Sequence, residues 1–325
     1  MTAPPRSATG PLCAVVSRVD FGACSLLLED GSTLEARVRG RLMGREKALG
    51  NTVVVGDVAE YERGPGGERA MVTGVRPRRN VFSRRAAGDR PEDQVLAVNL
   101  DQIVVVASVR EPDFKPGFVD RVLAQSEHAG IPARLVINKI DLGGRDEARA
   151  ILEDYGRAGC AGLALSAQTL EEVGRLRHQC RGRRSLFIGH SGVGKSTLLN
   201  ALVPGLELVS RAVNPKTGKG RHTTTVAWLQ RPEPDLELID TPGMRSFGLW
   251  GIGPRELDQV YPEFLRHLGE CRFADCRHQS EPDCAVRAAV EAGHIAERRY
   301  RSYLKLRDEL EAEEAGAGAR LRPGS

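Results

Sequence analysis

The chain has 325 residues, room for two or three cores of ordinary domain size, and its 41% apolar content is that of a water-soluble globular protein. No apolar run approaches the ~18 residues of a membrane helix, the longest being Ile103 to Ala107. Met1 to Pro11 has no apolar stretch like that of a signal peptide, so a cytoplasmic protein is expected. The net charge of +4 is too small to indicate nucleic-acid binding by itself. Only seven basic residues are Lys, and Arg suits bidentate phosphate contacts, although an Arg-rich genome gives the same bias.

From about residue 12 to 95, apolar and polar residues alternate with period two, as in Ser25 to Glu29, and Asp30-Gly31 marks a tight hairpin. Several short strands with Gly-rich turns predict a small antiparallel barrel. Near residue 98 the pattern changes. Apolar strands over Asp101–Val109, Arg134–Ile137, Gly162–Leu165 and Ser185–Ile188 alternate with helices over Phe118–Ala129, around Ile151 and over Leu170–Arg177. Two more strands follow at Val226–Leu229 and Leu236–Ile239. That alternation predicts a doubly wound parallel sheet. Beyond Gly253-Pro254 the chain reads as helical and basic, with a tail from Gly316.

Gly189-His190-Ser191-Gly192-Val193-Gly194-Lys195-Ser196, followed by Thr197, matches the P-loop pattern in full and lies between a strand and a helix. Its glycines let backbone N–H groups curl round a phosphate at a helix N-terminus. Lys195 is expected to reach the β and γ phosphates and Ser196 to ligate Mg²⁺. Asp240-Thr241-Pro242-Gly243 ends the Leu236 strand, which places the Asp240 carboxylate by the metal and the Gly243 amide by the γ-phosphate. In Gly220-Arg221-His222-Thr223-Thr224-Thr225, Thr223 is the first choice for a second Mg²⁺ ligand and Thr224 the next.

Asn138-Lys139-Ile140-Asp141 ends another strand. Asp141 can accept from guanine N1–H and the N2 amino group, whereas adenine offers no donor on that edge, so GTP and GDP are expected over ATP. Asn138 is expected to meet both guanine and the P-loop backbone, Lys139 to cover the base, and Ser166-Ala167 to supply the backbone contact to guanine O6. The base-reading motifs precede the P-loop, a circular permutation of the usual order. Met244 stands where many GTPases carry a water-orienting glutamine, so slow unassisted turnover is expected, with His222 the nearest polar candidate for positioning water. Cys271, Cys276, His278 and Cys284 supply four ligands for one structural Zn²⁺, while Cys13, Cys24, Cys160 and Cys180 read as buried thiols.

These four nucleotide motifs in this order, with the cysteine spacing, resemble the small-subunit ribosome biogenesis GTPases of the RsgA/YjeQ family over nearly the whole length. The resemblance implies an OB-fold barrel (residues 1–95), a permuted α/β P-loop GTPase domain (96–250) and an α-helical zinc module (251–325). It further implies that His222 is catalytic, beside the Lys195 and Thr223 already expected at the phosphates and metal, and late maturation of the small (30S) ribosomal subunit with hydrolysis stimulated by that subunit. Its rRNA is the expected partner, with no DNA or membrane, and a monomer is expected. Within the barrel Arg76, Arg78, Arg79, Arg84 and Arg85 are the candidate RNA contacts.

Overall fold

The computed structural model describes residues 11–20, 22–40, 52–64, 69–86, 92–203 and 227–320. Strands β1 (Leu12–Asp20), β2 (Ala23–Leu27), β3 (Thr33–Val38), β4 (Val58–Arg63) and β5 (Ala70–Val75) come first. Successive side chains leave opposite faces of a strand, so Val16, Leu26, Ala36, Ala59 and Val72 meet in one buried core. β1 pairs with both β2 and β4, β2 with β3, and β5 with both β3 and β4, which closes a five-stranded barrel. The β3–β5 pair is parallel, so the barrel is not wholly antiparallel as expected. The Asp30-Gly31 hairpin forms between β2 and β3, with Gly31 at φ +84°. Strands β6 (Val81–Arg85) and β7 (Asp93–Val98) stand outside the barrel as a separate hairpin.

Beyond the hairpin the sheet strands are β8 (Gln102–Ser108), β9 (Ala133–Asn138), β10 (Ala161–Ala164), β11 (Arg183–Gly189), β12 (Trp228–Glu233) and β13 (Leu236–Asp240). Their order is β10-β9-β8-β11-β13-β12, with every pair parallel except β12 against β13. Helices α1 (Pro116–His128), α2 (Arg145–Arg157), α3 (Val173–Cys180) and α4 (Lys195–Leu202) cover the two faces. The alternation of β8 divides the core: Ile103, Val105 and Ala107 pack with α1 and α2, while Val104 and Val106 pack with α3 and α4. A strand buried on both faces must be apolar throughout, which is why β8 reads as a continuous run. Barrel and hairpin meet at Gly56, where φ is +94° and a Cβ would stand 2.3 Å from Val98 O of β7. Only glycine tolerates both conditions.

The C-terminal part is mostly turns, with helices α5 (Ala285–Glu291) and α6 (Glu297–Arg320). α6 continues through Gly316, where a tail was expected, and residues 321–325 lie outside the described set. It is anchored by charge inside the protein. Arg299 on α6 donates to Asp120 of α1 at 2.5 Å and to Glu263 at 2.7 and 3.2 Å, and all three side chains are at most 3% exposed. Its guanidinium also lies 4.4 Å from the Tyr261 ring centroid. Burial opposes the charge, yet the two carboxylates hold the Arg299 pKa well above its ordinary value. Removing one member of such a cluster leaves uncompensated buried charge, at a cost of about 3–5 kcal/mol. Arg299→Ala should therefore lose roughly that much in urea unfolding, and a loss below about 1 kcal/mol would show that α6 is held by apolar packing alone.

Candidate functional site

Parallel strands direct their carboxyl ends to one edge, where the loops collect. β9 ends at Asn138, β11 at Gly189 and β13 at Asp240, and Ser166 follows β10. The P-loop residues His190 to Gly194 lie between β11 and α4, with Gly192 at φ +90° and Gly194 at φ +85°. Ser196 and Thr197 occupy the first turn of α4, which begins at Lys195. Met244 N–H donates to Gly189 O and Ser191 N–H to Met244 O, both at 3.1 Å, so the Asp240–Gly243 turn runs alongside the P-loop. Thr241 is fixed beneath it, its hydroxyl donating to Phe187 O at 2.7 Å. The buried Lys195 ammonium pairs with the Asp240 carboxylate. One cation and one carboxylate thus converge at the helix N-terminus, as phosphate and metal chemistry requires.

The Asn138–Asp141 turn faces this loop directly. Asn138 Nδ2 donates to Val193 O at 3.0 Å, and Asn138 Oδ1 accepts from Ala167 N–H at 3.0 Å. The side chain is 2% exposed, so leaving either end unpaired would cost about 1–3 kcal/mol. Ala167 N–H, expected to meet a base, is engaged here by Asn138. The Ser166 hydroxyl donates to Asp141 Oδ1 at 2.5 Å and accepts from Thr169 N–H at 3.1 Å. That leaves Asp141 Oδ2 with no hydrogen-bond partner among the described residues. Lys139, at φ +67°, reaches past Gly194 to donate to Glu111 O. A methyl on Gly194 would lie 2.5 Å from Asn138 Nδ2.

Cys271, Cys276, His278 and Cys284 bring four ligand atoms within 4.8 Å of one another. Three of the separations are 3.4, 3.6 and 3.9 Å. Tetrahedral zinc at its usual bond lengths of about 2.0–2.3 Å needs ligand spacings of roughly 3.5–3.8 Å, so the cluster could hold that ion. His278 Nε2 stands 3.5 Å from Asp258 Oδ2 and makes no hydrogen bond among the described residues. The spacing motif gave no hint of Asp258, because it comes from a separate turn at Leu257–Val260. Among the described residues the other thiols belong to no such cluster. Cys24 and Cys180 are buried while Cys13 and Cys160 are only partly so, and burial pushes Cys24 up to about 12 and Cys160 and Cys180 up to about 11.

His222, Thr223 and Thr224 lie outside the described residues. Four of the five candidate RNA arginines make ion pairs within the chain, Arg76 and Arg79 at its surface. Arg78 makes a bidentate pair with buried Asp57 at 2.8 and 2.9 Å, Arg79 pairs with Asp101, Arg76 with Glu60 and Arg85 with Glu313. Met244 is 9% exposed and packs into the core, so it offers no polar group at the water-orienting position.

A P-loop on a central strand, with an Asn-Lys-x-Asp turn beside it in space but before it in sequence, defines a circularly permuted P-loop GTPase. The family model described as RsgA GTPase matches residues 75–250. Proteins called small ribosomal subunit biogenesis GTPase RsgA from Gemmatimonas aurantiaca and Chlorobaculum tepidum are each 41% identical to this chain. The matches cover 91% and 92% of this chain and 96% and 98% of those proteins. The crystal structure of YjeQ from Thermotoga maritima superposes with a TM-score of 0.71 at 30% identity, covering 92% of this chain and 98% of that one. YloQ, titled a circularly permuted GTPase, has a TM-score of 0.69 at 23% identity over 99% of this chain and 100% of its own, a likeness of fold. The chain belongs to the RsgA GTPase family and is a GTP hydrolase.

Gly194→Ala combines a positive φ with a close approach to Asn138. It should weaken GTP binding by roughly tenfold or more, about 1.4 kcal/mol, in a fluorescent-nucleotide titration. Unchanged affinity would mean that the P-loop and the Asn138 turn move independently.

Proposed function

We propose that this chain is a cytoplasmic, monomeric GTPase that binds the small (30S) ribosomal subunit and its rRNA and assists late maturation, with hydrolysis stimulated by the subunit. The supporting observation is that relatives named for small-subunit biogenesis align over more than nine-tenths of both chains, so the likeness takes in the barrel and Cys/His cluster as well as the GTPase core. We assign residues 1–95 to RNA binding, 96–250 to GTP hydrolysis and 251–325 to a zinc module. The missing glutamine at Met244 fits an enzyme that waits for a partner.

In this reading Asp141 accepts from guanine N1–H and the N2 amino group, its carboxylate held by the Ser166 hydroxyl. Asn138 keeps the base turn against the P-loop, Lys139 covers the base, and the Ser166-Ala167 backbone borders guanine O6. The P-loop backbone from Gly189 to Thr197 surrounds the phosphates, and Lys195 leaves Asp240 to meet the β and γ oxygens. Ser196, Thr223 and Asp240 form the Mg²⁺ shell, and Gly243 N–H faces the γ-phosphate. Bound Mg²⁺ would neutralise charge on the β and γ oxygens. His222 positions the attacking water. Cys271, Cys276, His278 and Cys284 hold one structural Zn²⁺, since four protein ligands leave no open position for catalysis.

The decisive experiment compares GTP hydrolysis by the full chain with and without purified small subunits. Stimulation of at least about tenfold is expected, and no stimulation would favour a nucleotide-binding scaffold. Asp141→Asn should shift preference from GTP towards XTP, because the amide can donate to the oxygen that replaces the amino group. Retained GTP preference would refute the base-reading role.

A further inference from the structure

A cleft of about 1100 Å³ opens between the β6–β7 hairpin, the start of α1, the segment after Gly243 and the exposed face of α6. Eight cationic side chains and four carboxylates line it. The carboxylates are each matched: Glu313 to Arg85, Glu309 to Arg121, Asp154 to Arg298 and Glu297 to Arg301. Lys115, Arg245 and Lys305 have no carboxylate within ion-pair distance among the described residues. Among the described residues Arg84 donates only to the neutral Gln94 side chain and, at 3.4 Å, to Ser246 O, while burial holds its pKa below the ordinary value. The cleft therefore carries four uncompensated positive charges, equal to the net charge of the entire chain. The other residues sum to zero. Two of the chain's seven lysines stand here, both exposed.

The lining has little to hold a protein partner. Its large apolar side chains, Phe118 and Phe247, are 8% and 2% exposed. A peptide would need accessible apolar anchors, and an unpaired base would need an exposed ring to stack on. Repeated point charges with neither feature suit a phosphate backbone. His190 of the P-loop also lines the cleft, as do Arg245, Ser246 and Phe247, just beyond the Asp240–Gly243 turn. A ligand here would touch both loops that meet the nucleotide.

We propose that this cleft receives the phosphodiester backbone of an RNA strand, and that the RNA thereby presses on the P-loop and the segment after Gly243. The proposal rests on the ribosomal reading above and gives subunit stimulation a physical route. Each phosphate contact releases counterions and steepens the salt dependence of binding.

The test measures binding of purified small subunits to the full chain, loaded with a GTP analogue, across a salt series. Lys115→Gln/Lys305→Gln should weaken binding and lower the slope of log affinity against log salt by about two, one for each lysine. Lys305→Gln alone, on an exposed helix face, should lower it by about one if the double variant folds poorly. Arg149→Gln, with an equal charge change on α2 away from the cleft, should leave the slope at the wild-type value. Polyuridylate should compete for wild type more strongly than polyglutamate. Wild type that fails to bind subunits would overturn the ribosomal reading itself. Normal wild-type binding with unchanged slopes in the lysine variants would overturn the cleft proposal alone, and so would stronger competition by polyglutamate, which would mark an acidic protein as the occupant.

Discussion

The two amide atoms of Asn138 join three loops that the chain builds far apart. One end holds Val193 of the P-loop and the other holds Ala167 beyond β10, both at 3.0 Å. Parallel strand ends supply proximity, but proximity alone does not set a register between a base-reading turn and a phosphate-binding one. A buried amide that must satisfy its donor and acceptor at once does so, because either loop moving would leave a polar atom unpaired away from water. Asparagine fits because it carries a donor and an acceptor on one short stem; aspartate would lose the donor and set a charge against the Val193 carbonyl.

The same economy governs the segment after Gly243. It is stitched first to the P-loop through Met244, then to β6, where Arg85 N–H donates to Gly248 O at 3.1 Å, then to α1, where Gln125 holds both backbone groups of Trp250. Phe247 packs against Phe82 of the hairpin and Phe118 of α1, and Phe118 sets its edge on His190. The chain then enters the Leu257–Val260 turn, whose Asp258 stands behind His278. Along the chain from Gly243, contacts to the hairpin and α1 therefore come before those to the Cys/His cluster. The permutation places this segment at the exit of the GTPase core, with the C-terminal part directly after it.

Elements with strong local rules were legible in the sequence. The continuous apolar run of β8, the Asp30-Gly31 hairpin and the glycines of the P-loop each have a local physical cause, and each stands where the pattern put it. The Asn138–Asp141 turn was legible because its residues stand at the end of an apolar strand. What escaped was non-local. The β6–β7 hairpin alternates like a barrel strand, and only pairing partners reveal that it stands apart. Asp258 and the Arg299–Asp120–Glu263 cluster unite residues from separate elements, which no spacing rule connects. Gly316 reads as a helix end, yet α6 passes through it and through Gly318, each at a cost of about 1 kcal/mol that a long helix tolerates.

Charge was the property hardest to read from composition. Arginine dominates the basic residues, and the natural inference is a surface that grips phosphate. In the folded chain many arginines serve structure. Arg78 is locked on Asp57, Arg299 sits between two buried carboxylates, and Arg184 and Arg231 share Glu237. The planar guanidinium suits these posts because it satisfies several acceptors in fixed directions and is less strongly hydrated than an ammonium. Lysine, with a compact and well-hydrated charge, is a poorer interior partner; Lys195 is buried at the phosphate loop, whereas Lys115 and Lys305 remain outside. So the useful measure of an anion-binding surface is which cations the fold leaves without a carboxylate, and four of these line one cleft. A nearly neutral chain can in this way present a concentrated positive field at the place where its two nucleotide loops are exposed.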